Sequence, residues 1–211
     1  MPSFGQLVET VARWRRFPGL ERLDGRRVAL TFDDGPDPDA TPTVLEALAA
    51  AGAPATFFLV GEQVEEHPDL AADVATRGHT VGLHGHRHVE HDELPDPAAD
   101  LRRGAAALEA ATGRRPTLFR PPYGRFSERS YAACLELGLA PVYWSGWGGD
   151  WEPIPPGRIA DLANRDIAPG AVLLLHDSAR YAYRESAAPT AEALPAILDA
   201  VGAEGLEVVP L

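Results

Sequence analysis

RVALTFDDGPD, Arg27 to Asp37, is a short run of β-favouring residues that breaks directly into two aspartates and a Gly-Pro turn. The run is too short for a helix and reads as a strand buried on both faces. An open doubly wound sheet carries a glycine-rich GxGxxG phosphate loop between its first strand and first helix. DDGPDP stands in that place here, which points away from nucleotide binding and toward a different α/β architecture.

Working outward, six further apolar runs repeat the pattern: ATFFLV (Ala55 to Val60), HTVGLH (His79 to His84), TLF (Thr117 to Phe119), APVYWS (Ala140 to Ser145), AVLLLH (Ala171 to His176) and LEVVP (Leu206 to Pro210). Helical segments with recognisable ends lie between them. TPTVLEALAAAG has Thr41 as its N-cap and Gly52 as its stop, and SERSYAACLELG starts on a capping Ser127. Pro195 is expected to interrupt the last helix. Strand and helix alternating about seven times predict an α/β fold, a closed or nearly closed barrel of mostly parallel strands. Residues 26–211 form one domain in this reading. Residues 1–25 precede it, with Leu7, Val8, Val11 and Trp14 as the apolar stripe of a short helix packed on the domain.

The bulk properties exclude several classes. A formal charge of −12, from 31 acidic and 19 basic residues, repels phosphate backbones, so nucleic acid is not an expected partner. No apolar run is long enough to span a membrane. The single cysteine, Cys134, rules out an intrachain disulfide and reads as a buried structural thiol. The N-terminus lacks the apolar core of a secretory signal, so a cytoplasmic location is expected.

The polar residues gather where the strands end. DDGPD follows the first run, HGHRH (His84 to His88) closes the third, RPPYG (Arg120 to Gly124) follows the fourth, GGDW (Gly148 to Trp151) trails the fifth, and His176-Asp177 ends the sixth. Loops at the C-terminal ends of barrel strands converge on one mouth, where catalytic groups collect. His84 and His88 stand four apart and can face one ion if that stretch makes a helical turn. With Asp33 or Asp34 they make a two-His, one-carboxylate site. On an extended chain the two aspartates point to opposite sides, so one can bind an ion while the other serves water as a base. His176 suits a general acid, with Asp177 as its orienting partner or simply a helix cap. Arg120 can hold a catalytic carboxylate, and the amides of Tyr123 and Gly124 can face an oxyanion. Among the aromatic residues of VYWSGWGGDW, Trp144 reads as core and Trp151 as part of the site.

Taken in order, TFDDGPD, HGHRH, RPPYG and LLLHD resemble the motifs of the polysaccharide deacetylase family, from about Val28 to Leu211. That family includes chitin, chitooligosaccharide and peptidoglycan N-acetylglucosamine deacetylases and some xylan acetyl esterases. The resemblance implies a distorted (β/α)7 barrel. It also implies Asp33 as the base, Asp34, His84 and His88 as ligands of a divalent metal, usually zinc, and Arg120 as the residue tuning Asp33. Tyr123 becomes the backbone oxyanion donor, His176 the acid, and Leu174 the lining of the acyl pocket. Two positions depart from the family pattern. Gly85 stands where Ser or Thr is usual, which implies a looser loop with the same ligands. An earlier Asp near Trp147, the usual partner of the catalytic His, is absent, and Asp150 is left as the residue to take over. The expected activity is hydrolysis of N-acetyl groups on an amino-sugar substrate. A non-carbohydrate amide, an O-acetyl ester, and a non-catalytic carbohydrate-binding domain are the alternatives.

Overall fold

The computed structural model describes residues 17–91 and 93–211. The expected helix around Leu7 to Trp14 lies outside them. Eight strands are present among the described residues: β1 (Arg27–Asp33), β2 (Thr56–Leu59), β3 (Thr80–Leu83), β4 (Leu118–Phe119), β5 (Ala140–Pro141), β6 (Gly146–Trp147), β7 (Val172–His176) and β8 (Glu207–Val208). The sheet runs β5-β4-β3-β2-β1-β7-β6, with every pairing parallel, and β8 adds to the start of β1. It curls into the distorted barrel expected.

The run APVYWS was expected to be one strand, and the structure divides it. Ala140 and Val142 donate to the Thr117 and Phe119 carbonyls beside β4, whereas Ser145 and Gly148 donate to Val172 and Leu174 of β7. The segment thus changes neighbours midway and carries the chain across the open side of the barrel, leaving β5 and β6 two residues each. Leu20 and Arg22 lie in the same gap, bridging Val142 on one side and Ala171 on the other.

Seven α-helices among the described residues pack outside: α1 (Thr41–Ala50), α2 (Gly61–Glu66), α3 (Pro68–Thr76), α4 (Pro97–Thr112), α5 (Glu128–Glu136), α6 (Pro156–Arg165) and α7 (Ala188–Ala203). Ser127 caps α5 in a reciprocal capping box with Ser130. Thr41 is the first residue of α1 rather than its cap; its hydroxyl accepts from the Asp37 amide and donates to the Asp177 carboxylate. Pro195 does not interrupt α7. Buried Ala191, Leu194, Ile197 and Val201 anchor that helix to the core, and their packing outweighs the hydrogen bond the proline removes.

Alternation along the strands positions the site. Val28, Leu30 and Phe32 of β1, Phe57 and Leu59 of β2, and Leu173 and Leu175 of β7 join the core cluster under the helices. The residues between them, Thr31 and Asp33, Phe58, and Leu174 and His176, are on the inner face. No helix among the described residues is long and apolar enough to cross a membrane.

Candidate active site

Asp33 closes β1, and the next residue leaves the strand abruptly: Asp34 has φ of 81°. A left-handed backbone is unusual for a residue other than glycine. It also overturns the expectation that the two aspartates diverge. Both carboxylates turn toward His84 Nε2, Asp34 Oδ1 at 3.4 Å and Asp33 Oδ2 at 3.8 Å. The side-chain amide of Gln63, on α2, donates to the Asp34 carbonyl and holds this turn.

The stretch from His84 to His88 is a bent loop, not the helical turn its spacing suggested. It still brings both rings to Asp34, with His88 Nε2 at 3.1 Å from Oδ1. Two elements shape it. The first amides of α2 donate to its carbonyls, Gly61 to Gly85 at 2.9 Å and Glu62 to His86 at 2.8 Å. Asp100, on α4, accepts from the amides of His86 at 2.8 Å and Arg87 at 3.3 Å. Gly85 has φ of 82°, and a Cβ there would sit 2.9 Å from the Arg87 carbonyl oxygen and 3.0 Å from His91 Nε2. A serine at that position has no room. The loop is therefore tightly held, not loosened as the glycine suggested.

The other histidines have other partners. His79 Nδ1 accepts from the Ala55 amide, His86 faces Glu65, and buried His91 lies against Asp100 and Phe119. Among the described residues, Asp34, His84 and His88 remain as the set whose ligand atoms lie within 4.8 Å of one another. Their chemistry suits a divalent cation. Asp34 Oδ1 is buried and accepts no hydrogen bond of ordinary geometry among the described residues. His84 Nδ1 is 2.7 Å from the Arg120 carbonyl, which as a donor contact leaves the lone pair on Nε2, facing Asp34. Burial alone would push the Asp34 carboxyl up, but His88 and His84 beside it outweigh burial and hold it well below its usual value.

Arg120 follows β4 and is wholly buried. Its Nη1 donates to Asp33 Oδ1 and to the Thr31 hydroxyl, both at 2.7 Å, and its Nη2 donates to the Tyr143 carbonyl at 2.9 Å. The guanidinium stacks over Phe58 at 4.2 Å, with Trp144 further off at 5.6 Å. Trp144 packs on the core as expected. One oxygen of Asp33 is thereby fixed by a permanent cation and the other is left for the site.

His176 ends β7 directly beside Asp33 in the sheet register. Asp150 supplies its partner: Nδ1 is 2.8 Å from Asp150 Oδ1, and the backbone amide of His176 donates to Oδ2 at 2.8 Å. Thr190 donates to that same Oδ2, and Arg184 approaches it at 3.6 Å. Burial would push the His176 imidazole down, but Asp150, with Asp34 and Asp33, raises it to about 9. The position that lacks the family's earlier Asp is thus fully served. Asp177 is not the partner. Its carboxylate accepts from the Gly35 amide and the Thr41 hydroxyl, tying β7 to the turn after β1, and burial raises it to about 7.

Tyr123 has φ of 57° in a single 3-10 turn. Gly124 donates its amide to the Pro121 carbonyl at 2.9 Å, so it is not free for an oxyanion as the sequence allowed; the Tyr123 amide is the loop's remaining candidate. Trp151 is partly exposed and sets its ring 5.8 Å from His176, edge to face, with Trp147 beyond it at 6.5 Å. Leu174 lies below His176 on the inner face and is buried. Sequence reasoning missed Asp100, Thr31, Thr190 and Tyr181, whose ring stacks on His88 at 4.1 Å. Only Tyr181 left a signal, as part of the aromatic pair in SARYAYR just after His176-Asp177.

The family model described as polysaccharide deacetylase matches residues 21–142. The chain belongs to the polysaccharide deacetylase family. A chitooligosaccharide deacetylase from Bradyrhizobium sp. (strain ANU 289) is 34% identical over 201 residues, covering 88% of this chain and 89% of that one. The crystal structure of a peptidoglycan N-acetylglucosamine deacetylase, in complex with an N-hydroxybenzamide, superposes with a TM-score of 0.82 at 28% identity, over 92% of this chain and 88% of the other. A pseudoenzyme of the CE4 family from Bacillus anthracis superposes with a TM-score of 0.79 at 26% identity, over 87% of this chain and 63% of the other. A polysaccharide deacetylase fold is therefore compatible with an inactive site, and catalysis in this chain depends on its own side chains.

Proposed function

We propose that this chain hydrolyses N-acetyl groups on amino-sugar oligomers, with a divalent cation, zinc in our reading, held by Asp34, His84 and His88. When bound, such a cation polarises an acyl carbonyl and makes water more acidic. Asp33 takes the proton from the attacking water through Oδ2, while Arg120 keeps Oδ1 occupied and the carboxylate oriented. The water oxygen bonds to the acyl carbon, and the Tyr123 amide donates to the oxyanion that develops there. His176, protonated and held by Asp150, then gives its proton to the nitrogen as the C–N bond breaks, releasing acetate and a free amine. Leu174 walls the acyl group, and Trp151 offers a face to a sugar ring.

The observation that carries this reading is the placement of two oppositely partnered groups, Asp33 on Arg120 and His176 on Asp150, on neighbouring strands beside one metal-ligand triad. The test is acetate release from N-acetylglucosamine oligomers by zinc-loaded protein, chelated protein and Asp33→Asn. Release that needs zinc and is lost in the variant supports the proposal. A zinc-bound wild type that releases no acetate would refute the amino-sugar substrate.

A further inference from the structure

The two histidines of the triad are held by different means. His84 Nδ1 is fixed on the Arg120 carbonyl, the ordinary way a ligating imidazole is oriented. His88 Nδ1 is buried and has no hydrogen-bond partner among the described residues. Its side chain is nonetheless only 5% exposed, because aromatic rings enclose it. Tyr181 lies flat on it, with centroids 4.1 Å apart and planes 11° apart, and Tyr123 meets its edge at 4.7 Å.

Tyr181 is itself held in place. Its neighbour Arg180 pairs with Glu66 at 2.9 Å and reaches Gln63 at 3.3 Å, both on α2. On the other side the Tyr183 amide donates to the Trp151 carbonyl at 2.9 Å, and buried Arg184 donates to the carbonyls of His176 and Ser178. Helix α2 is thus a common anchor. Gln63 holds the Asp34 turn, the amides of Gly61 and Glu62 hold the histidine loop, and Gln63 with Glu66 holds the segment that carries Tyr181.

We propose that Tyr181 is a positioning residue for the metal site, its ring replacing the missing hydrogen bond at His88 Nδ1 by fixing the imidazole plane and excluding water from it. The inference rests on the reading of Asp34, His84 and His88 as metal ligands. Stacking needs the ring and not the hydroxyl, so Tyr181→Phe keeps the function and Tyr181→Ala loses it.

The experiment measures zinc affinity by competition with a chromogenic chelator, and the visible spectrum of the cobalt-substituted protein, for wild type, Tyr181→Phe, Tyr181→Leu and Tyr181→Ala. Unfolding of the metal-free proteins is the control. Affinity is expected to fall about 10- to 100-fold in Tyr181→Ala, the range found when the outer support of a ligand is removed. Tyr181→Phe should match wild type in affinity and spectrum. Tyr181→Leu covers the ring without stacking and should show a changed cobalt spectrum; it also carries the comparison if the alanine variant does not fold. Wild-type affinity and an unchanged spectrum in the folded leucine or alanine variant would overturn the proposal while leaving the triad in place. A wild type that binds no zinc would instead overturn the triad reading and, with it, the role of Tyr181.

Discussion

Asp33 and Asp150 are both buried carboxylates at the mouth of the barrel, and they face opposite kinds of partner. Asp33 sits on a guanidinium that is charged at any working pH, so one of its oxygens stays free to accept a proton. Asp150 sits on an imidazole and spends its second oxygen on Thr190 and the His176 amide, leaving nothing for substrate. The first arrangement makes a base of the carboxylate; the second makes an acid of its neighbour. Environment, not residue type, divides the work between the two ends.

The base end breaks most expensively. Arg120→Met leaves the Asp33 carboxylate, the Thr31 hydroxyl and the Tyr143 carbonyl without their donor in a dry interior. A loss of about 3–5 kcal/mol is expected in denaturant unfolding, the range for a buried pair deprived of one member. A loss within about 1 kcal/mol, typical of exposed pairs, would show that water reaches the guanidinium and that the two ends are less different than described.

Asp150→Asn should sharpen the comparison at the acid end, lowering kcat about 10- to 100-fold as outer supports of functional groups do. Asp150 raises His176 and burial lowers it, so removing the carboxylate moves the alkaline limb of the kcat profile to lower pH. In the wild type that limb should stand no higher than about 9, and a cation in the site brings it lower still. The same shift has a stability consequence in metal-free protein. Because the folded-state value is raised, the stabilisation is fully present below about pH 6.5 and is lost as pH climbs through about 9. Asp150→Asn should flatten that slope, which thermal unfolding across the interval reads directly. Thr190→Val removes the hydrogen bond to the same carboxylate and the acceptor of buried Arg184 Nη1, and about 1.5–3 kcal/mol of stability is the expected effect.

Much of this site is written in local sequence. The strand that ends in Asp33-Asp34, the loop from His84 to His88, Arg120 and His176 all stand at the ends of apolar runs, and the topology needs only parallel strands to bring them together. What was illegible depended on backbone geometry or on distant partners. The convergence of Asp33 and Asp34 comes from one left-handed residue, which nothing in DDGPD announces. The division of APVYWS arises because its neighbours change from β4 to β7, a property of barrel closure rather than of the run. Asp100 lies in a helix whose pattern looks ordinary, and its carboxylate acts on a loop more than ten residues earlier. The pairing of His176 with Asp150 needed the β6–α6 loop to fold back over β7; adjacency in sequence offered Asp177, as partner or helix cap, and Asp150 came forward only through the family resemblance.

The most direct test of the division between base and acid is the dependence on the leaving group. Asp33→Asn and His176→Ala, both zinc-loaded, would be assayed on an N-acetylglucosamine oligomer and on an aryl acetate, whose phenolate departs without a proton. Each variant should lose about 10²- to 10⁴-fold in kcat on the amide. On the aryl ester Asp33→Asn should lose as much again, while His176→Ala recovers most of its rate. Equal losses for both variants on both substrates would contradict the account, because they would show that His176 does not act by protonating the leaving group.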